Sequence, residues 1–340
     1  MSGYDVVGVG ALNVDLIYEA DLREISRVLG RPIEPGSEGS CVGSFDSLIK
    51  YLRNDARLIA RSGGGSAANT VYALARMGFD CSYIGMTGTD ENSDFLLQEL
   101  RDAGVDVTNI GRKIGGYCGT GISIIGDNSR TLLIYPNIND EFDKIALMNL
   151  PFLPAAKYFH LTSFVSSLGD GPLEAHGYIV NRAKKAGGKV SFDPGEFYCQ
   201  KGLEALREVI DNTDILFVNG NEAGLLGGVN AISYVPLLVV KSGERGSTVY
   251  WDGRSKSIEP TDPRTFMIPE ENKRYERGYL TLETTGAGDV FVAGFLASML
   301  SSEDADPESA AKFASIVAAK SITRPGREAY STREDLKYLH

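Results

Sequence analysis

Histidine is almost missing from this 340-residue chain: there are three, His160, His176 and His340. None stands at a spacing that would bring two imidazoles to one metal ion, and the four cysteines (Cys41, Cys81, Cys118, Cys199) include no C-x-x-C. A zinc site and a disulfide framework are both excluded on that count, and reduced thiols point to the cytoplasm. No lysine- or arginine-rich run occurs and the net charge is −11, so the chain lacks the clustered bases that neutralise a nucleic-acid backbone. The longest apolar stretch, Val290–Leu300, is too short to span a bilayer, which excludes a membrane partner. Met1–Gly10 lacks the basic-then-apolar pattern of a secretory leader. Two nucleotide-binding signatures are missing as well. There is no G-x-x-x-x-G-K-[ST], and Gly8-Val9-Gly10 begins a dinucleotide fingerprint whose third glycine is replaced by Asn13. An NAD-dependent enzyme therefore ranks last among the readings.

Glycine, by contrast, is abundant: 39 residues, about 11% against a background near 7%. With no Gly-X-Y repeat, the surplus means tight turns and close backbone approaches. The length suits two domains, or one large α/β domain with an appendage.

The apolar periodicity gives a strand over Tyr4–Gly10 and a shorter one at Leu16–Tyr18, then a charged, turn-rich excursion from about Asp21 to Arg61 that holds a helix over Phe45–Leu52. A helix over Ser66–Met77 follows, capped by Ser66 and stopped by Gly78. Gly121–Gly126 and Thr131–Tyr135 flank Asp127-Asn128-Ser129 and predict a hairpin. From Tyr158 onward strands and helices alternate regularly, with a last helix near Arg333–Leu339 opened by Ser331-x-x-Glu334. Such alternation implies a doubly wound, mainly parallel sheet with helices on both faces. The hairpin and the early short strand stand outside it and are expected to form a small β-rich flap.

Two glycine clusters open helices. Gly63-Gly64-Gly65-Ser66-Ala67-Ala68-Asn69 lets a ligand approach the backbone where free N–H groups point outward, with Asn69 near the same pocket. Taken alone, these glycines serve close strand–helix packing equally well. Thr284-Thr285-Gly286-Ala287-Gly288-Asp289 precedes the apolar helix Val290–Leu300 and is the stronger feature. Its backbone forms an anion hole, in which each preorganised donor supplies about 2.7–4 kcal/mol to a developing charge. Asp289 falls in the first turn, where the macrodipole favours the ionised form. A carboxylate that accepts a hydroxyl proton beside such a hole is the arrangement phosphoryl transfer needs. An aspartate that merely helps the helix begin would read the same way in isolation. Asn219-Gly220-Asn221-Glu222 and Lys241-Ser242-Gly243-Glu244-Arg245-Gly246 each follow a strand, at the ends where open α/β sheets bind ligands.

In this order the pieces resemble the ribokinase-like carbohydrate kinase (PfkB) family, from Tyr4 to about Leu339. The resemblance implies one ribokinase-like α/β domain over 1–340, with a lid formed by about 13–61 and 112–137. It implies Asp289 as general base, an anion hole of Gly286, Ala287 and Gly288, and acceptor hydroxyls held by Asp15, Asn13, Gly65 and Asn69. Asn219, Glu222, Lys241, Gly243 and Gly246 would serve ATP, with Glu222 acting on Mg²⁺ through water. The segment Ile322–Ser331 corresponds to a loop flanking the nucleotide and, in many members, a monovalent-cation site for an ion such as K⁺. Glu283 stands where aspartate is commonest there. Lids of this family often mediate dimerisation, so a homodimer through the lid is the implied assembly. The implied activity is ATP-dependent phosphorylation of a carbohydrate-type hydroxyl; the alternative is a catalytically silent sugar- and nucleotide-binding regulator on the same fold. The 54 positions from Asp15 to Asn69 and the form Ser-Ala-Ala-Asn-Thr look like adenosine-kinase-type members, which tilts the acceptor slightly toward a nucleoside over a free sugar. Tyr18, Phe45, Phe164 and Tyr135 are the candidates for stacking on a base.

Overall fold

The computed structural model describes residues 3–40, 44–126, 129–143, 147, 153–165, 169–276, 282, 284–302, 304–324 and 326–339. Cys41, His340, Glu283, Pro325 and the Asp127-Asn128 turn lie outside the described residues.

Strands form where apolar side chains alternate between two buried faces. In β1 (Tyr4–Val9) Val6 enters one core while Val7 and Val9 enter the other. Ile215 and Phe217 alternate in the same manner with Leu216 and Val218 in β12 (Ile215–Asn219). Burial on both faces suits a parallel sheet with helices above and below. The full set runs β2 (Asn13–Glu19), β3 (Glu38–Ser40), β4 (Arg57–Gly64), β5 (Cys81–Thr87), β6 (Val105–Asp106), β7 (Ile110–Arg112), β8 (Gly119–Gly126), β9 (Ser129–Tyr135), β10 (Ala156–Thr162), β11 (Lys189–Asp193), β13 (Leu237–Lys241), β14 (Ser247–Trp251) and β15 (Arg254–Ile258). The main sheet has the order β15-β14-β13-β12-β11-β10-β1-β5-β6, with β7 on β5. It is parallel from β13 through β5, and β14 and β15 turn it antiparallel at one edge. Because β1 pairs with β5 on one side and β10 on the other, the winding reverses there, and a crevice opens at the strands' carboxyl ends.

The second sheet has the order β3-β9-β8-β2-β4 and one apolar face. Val14, Leu16 and Tyr18 of β2 point into a core with Ile25, Leu48 and Leu52 from the helices Leu22–Leu29 and Phe45–Asp55. Alternation then puts Asn13 and Asp15 on the opposite face. The sequence expectation of a hairpin is met by β8 and β9, which pair antiparallel. The excursion from Asp21 to Arg61 holds the expected helix, as Phe45–Asp55, and beyond it a further helix, Leu22–Leu29, and the strands β3 and β4. Most of β4 is exposed, and its apolar residues Leu58-Ile59-Ala60 stand in a run rather than alternating with polar ones, so no alternation marked it.

Two caps differ from expectation. Gly65, not Ser66, is the cap of the helix Ser66–Met77. At the chain's end Arg333–Leu339 is 3₁₀ helix, and Asp335 rather than Glu334 accepts the capping N–H, from Thr332 at 2.8 Å.

Candidate active site

The helices Ser66–Met77 and Ala287–Ser301 pack together, and both start in the same crevice. Gly286 caps the second at φ +77°, where an L side chain is strained, and a methyl group there would stand 2.7 Å from Tyr330 Oη. Gly65 is tighter still. It sits at φ +97°, and an added Cβ would lie 2.2 Å from the Ala11 carbonyl oxygen. We expect Gly65→Ala to lower unfolding free energy by about 2–5 kcal/mol, from the left-handed backbone plus overpacking, read as a lower urea midpoint at unchanged m.

At the start of Ala287–Ser301 the N–H of Ala287 is directed at Thr284 O, 3.1 Å away. Among the described residues the N–H groups of Gly286 and Gly288 have no protein acceptor, so two of the three expected donors stand available to an anion. Asp289 follows in the first turn. Asn69 Nδ2 donates to its Oδ2 at 2.8 Å, and Thr70 Oγ1 donates to its carbonyl at 3.1 Å. The macrodipole argument alone would leave Asp289 an ordinary acid. Instead, burial pushes its carboxyl up to about 7, with the Asp193 charge adding to the rise. Hydrogen bonds from Asn69 and Ser66 and the Lys241 charge pull the other way without prevailing. The group remains half-buried at the crevice floor, so a reactant can touch it.

Register brings together the residues expected to serve ATP. β11, β12 and β13 are parallel neighbours, and Asn219 stands opposite Lys241 in the β12–β13 pairing. Their carboxyl ends carry Asp193, Asn219 and Lys241. Lys241 Nζ donates to Asp193 Oδ2, and both side chains are largely buried, at 18% and 9% exposure. Burial alone would lower the Lys241 ammonium, but Asp193 and Glu222 outweigh it and raise it, keeping it charged. A methyl group at Gly288 would sit 3.6 Å from Lys241 Nζ, which places that charge beside the helix start. Glu222 is buried and closes a capping box: its Oε2 accepts from Asn219 N at 2.7 Å while Asn219 Oδ1 accepts from Glu222 N at 2.9 Å. Burial and then Asp193 raise its carboxyl, with Lys241 opposing. Gly243–Arg245 forms a 3₁₀ turn, and Gly246 closes it at φ +81°. Asn219, Lys241, Gly243, Gly246, Ala287 and Gly288 border one cavity of about 700 Å³, which is also lined by the apolar side chains of Phe291, Ala318 and Ile322.

Asp15 and Asn13, expected to hold the acceptor, lie on the second sheet. Asp15 faces Gly64 and Gly121; side chains at those positions would stand 2.3 and 2.6 Å from its carboxylate oxygens, so the glycines make its room. Asn13 Oδ1 accepts from Asn139 Nδ2 at 2.9 Å, and Asn139 also bonds Leu12 N and O, each at 3.2 Å. Asn69 is placed differently from a simple hydroxyl binder. Its Oδ1 accepts from Arg327 Nε at 3.1 Å and Nη2 at 2.9 Å, and its amide nitrogen is on Asp289. Of the four aromatic stacking candidates, Tyr18, Tyr135 and Phe164 are buried and Phe45 is partly buried. Tyr18 and Tyr135 are buried in the second sheet's core, Phe45 packs 5.0 Å from Tyr135, and Phe164 is stacked on Phe142 beneath the main sheet.

Sequence reasoning missed Asp193, Asn139, Glu99 and Arg327. Asp193 carried a signal, a carboxylate ending a strand before Pro194-Gly195. Asn139 and Glu99 lie in segments without a marking spacing, and Arg327 lies within Ile322–Ser331, which the resemblance marked as a segment without pointing to this side chain. Among the described residues no cluster of three or more metal-ligating side chains occurs, and no helix is long and apolar enough to cross a membrane.

The chain matches the family described as pfkB family carbohydrate kinase over residues 47–333. It is 30% identical over 274 residues to an uncharacterized sugar kinase of Archaeoglobus fulgidus, covering 77% of this chain and 97% of that one. An ATP-dependent ribose-1-phosphate kinase of Halopiger xanaduensis is 29% identical over 81% of this chain and 85% of its own length. Among solved structures, adenosine kinase from Sinorhizobium meliloti shares the fold across the full length of both chains, with a TM-score of 0.73 at 19% identity.

Proposed function

Because the chain belongs to the pfkB carbohydrate kinases, and so is a phosphotransferase acting on an alcohol with ATP as donor, we propose that it phosphorylates a hydroxyl of a sugar or sugar derivative at the crevice floored by Asp289. The observation that carries this is the position of Asp289, at the start of a helix whose Ala287 and Gly288 border the cavity of about 700 Å³ and whose Gly286 and Gly288 N–H groups are uncommitted among the described residues.

In this reading Asp289 takes the proton of the attacking hydroxyl while the N–H groups of Gly286 and Gly288 and the Lys241 ammonium face the transferring phosphoryl group. Asp15 and Asn13 orient the acceptor, and Asn139 holds the Asn13 amide. Gly243 and Gly246 border the space for the nucleotide. Mg²⁺ keeps several waters and takes few protein ligands, which fits a site offering Glu222 with one oxygen already committed to Asn219. Bound there through water, the ion would neutralise phosphate charge.

A raised carboxyl sets the pH dependence. The base works only when ionised, so kcat/KM should fall about tenfold per pH unit below about 7 and level off above it, measured with saturating ATP. An acid limb near the ordinary aspartate range would remove Asp289 from the role.

A panel of free sugars, sugar phosphates and nucleosides, assayed for ADP release, tests the acceptor class. Turnover of sugars or sugar phosphates is expected; phosphorylation of nucleosides alone would establish the second reading, which the helix Phe45–Asp55 packed on the second sheet favours. Ligand-induced stabilisation without ADP release across the panel would leave a silent binding protein.

A further inference from the structure

We infer that Arg327 is a positioning residue for the proposed base: its guanidinium fixes the Asn69 amide so that Nδ2 can face only Asp289. This rests on the assignment of Asp289 given above.

An amide turned by 180° exchanges an acceptor for a donor. Arg327 Nε and Nη2 converge on Asn69 Oδ1 at 3.1 and 2.9 Å, filling both lone pairs. Flipping Asn69 would aim its NH₂ at the guanidinium and its oxygen at the Asp289 carboxylate, a repulsion at each end. Arg327 is itself buried and held by two further contacts. Its plane lies over the Tyr72 ring at 4.5 Å, Nη1 is 3.4 Å from Glu99 Oε2, and its side chain is 5% exposed. Glu99 Oε2 is anchored in turn by Gly63 N at 2.8 Å. Lysine could not reproduce the fork, since it offers a point charge rather than two parallel donors. The consequence falls on Asp289 Oδ2, which keeps its Asn69 donor through the reaction. The charged and titratable groups around that carboxylate are Asp193 and Lys241 from the strand ends, Tyr83 from β5, and Tyr330 and Arg327 from the carboxyl-terminal loop. Loss of the Asn69 bond would leave burial and Asp193 less opposed, so the carboxyl would hold its proton to higher pH.

The test compares Arg327→Met and Arg327→Lys, each with and without Asp289→Asn. The pH dependence of the melting-temperature difference made by Asp289→Asn reports the carboxyl's titration without any turnover. Arg327→Met should move that midpoint upward by about one pH unit, with Arg327→Lys recovering part of it. In parallel, kcat should drop about tenfold near pH 6.5 but less than about threefold near pH 9, with KM for ATP unchanged. An unmoved midpoint overturns the inference, and so does an equal loss of kcat at every pH, which is what general loosening gives. Glu99→Gln separates the clamp from the amide: reproduction of the whole shift by that variant would also overturn it. A midpoint that moves while kcat does not follow supports the positioning role and counts against Asp289 as base.

Discussion

Asp289→Asn should lose about 10²–10⁴ in kcat while ATP binding, measured by calorimetry, stays within a few fold. The variant keeps an oxygen to accept from Asn69 Nδ2, so the crevice geometry is retained while the proton acceptor is gone. The same substitution should stabilise the protein. The ordinary aspartate value is 3.8, and the folded chain holds this one near 7. A folded-state value above the unfolded one means the native protein binds the extra proton. The associated stability is complete below about pH 4 and is lost as pH rises through about 7. Each pH unit of difference is worth about 1.4 kcal/mol, and partial exposure returns some of it, leaving a cost of the order of 2–4 kcal/mol above pH 8. Asp289→Asn removes that cost, so its melting temperature should exceed that of the parent at about pH 8.5 and match it at about pH 4. Near-parental turnover would eliminate the base assignment; a pH-independent stability difference would show that the carboxyl is not held near 7.

Lys241→Met should be among the most destabilising single changes, by about 3–5 kcal/mol, because it strands Asp193 in a largely buried place without its counter-charge. Glu222 loses the same opposing charge, and its carboxyl would be pushed further up. Pairing the change with Asp193→Asn removes the stranded charge and should return stability to within about 1–2 kcal/mol of the parent in urea. Activity should not return with it. The ammonium beside Gly288 is gone in both variants, so kcat is expected to remain down about 10²–10³. Recovery of kcat together with stability in the double variant would make the pair purely structural.

Much of the scaffold was legible because a parallel sheet buried on both faces leaves its own trace. Short β-branched runs such as Val6–Val9 and Leu237–Val240 alternate with helices that stop at glycine, and Ser66–Met77 was readable to the residue. The exposed strand β4 and the helix Leu22–Leu29 left no such trace, the one for lack of burial and the other for its charge. At the site, glycine marked the backbone positions because Gly65 and Gly286 adopt a conformation that side chains resist. Side-chain partnerships were hidden. Lys241 and Asp193 are 48 positions apart, and Asn69 and Arg327 are 258 apart. Each pair meets through strand order and helix packing, which no local spacing encodes.

The sequence by itself therefore determined the family and the elements of the proposed chemistry: a carboxylate at a glycine-flanked helix start, and glycines at the backbone positions proposed to meet a phosphate. Tertiary structure decided how that carboxylate behaves. Its place in the first turn argued for an ordinary ionised aspartate, and the helix dipole does act in that direction. Burial between two packed helices and the nearby Asp193 charge outweigh it, because removing water from a charge costs more than a half-charge at a helix end returns. Desolvation depends on what the rest of the chain packs around a residue, and that is settled only when the chain folds.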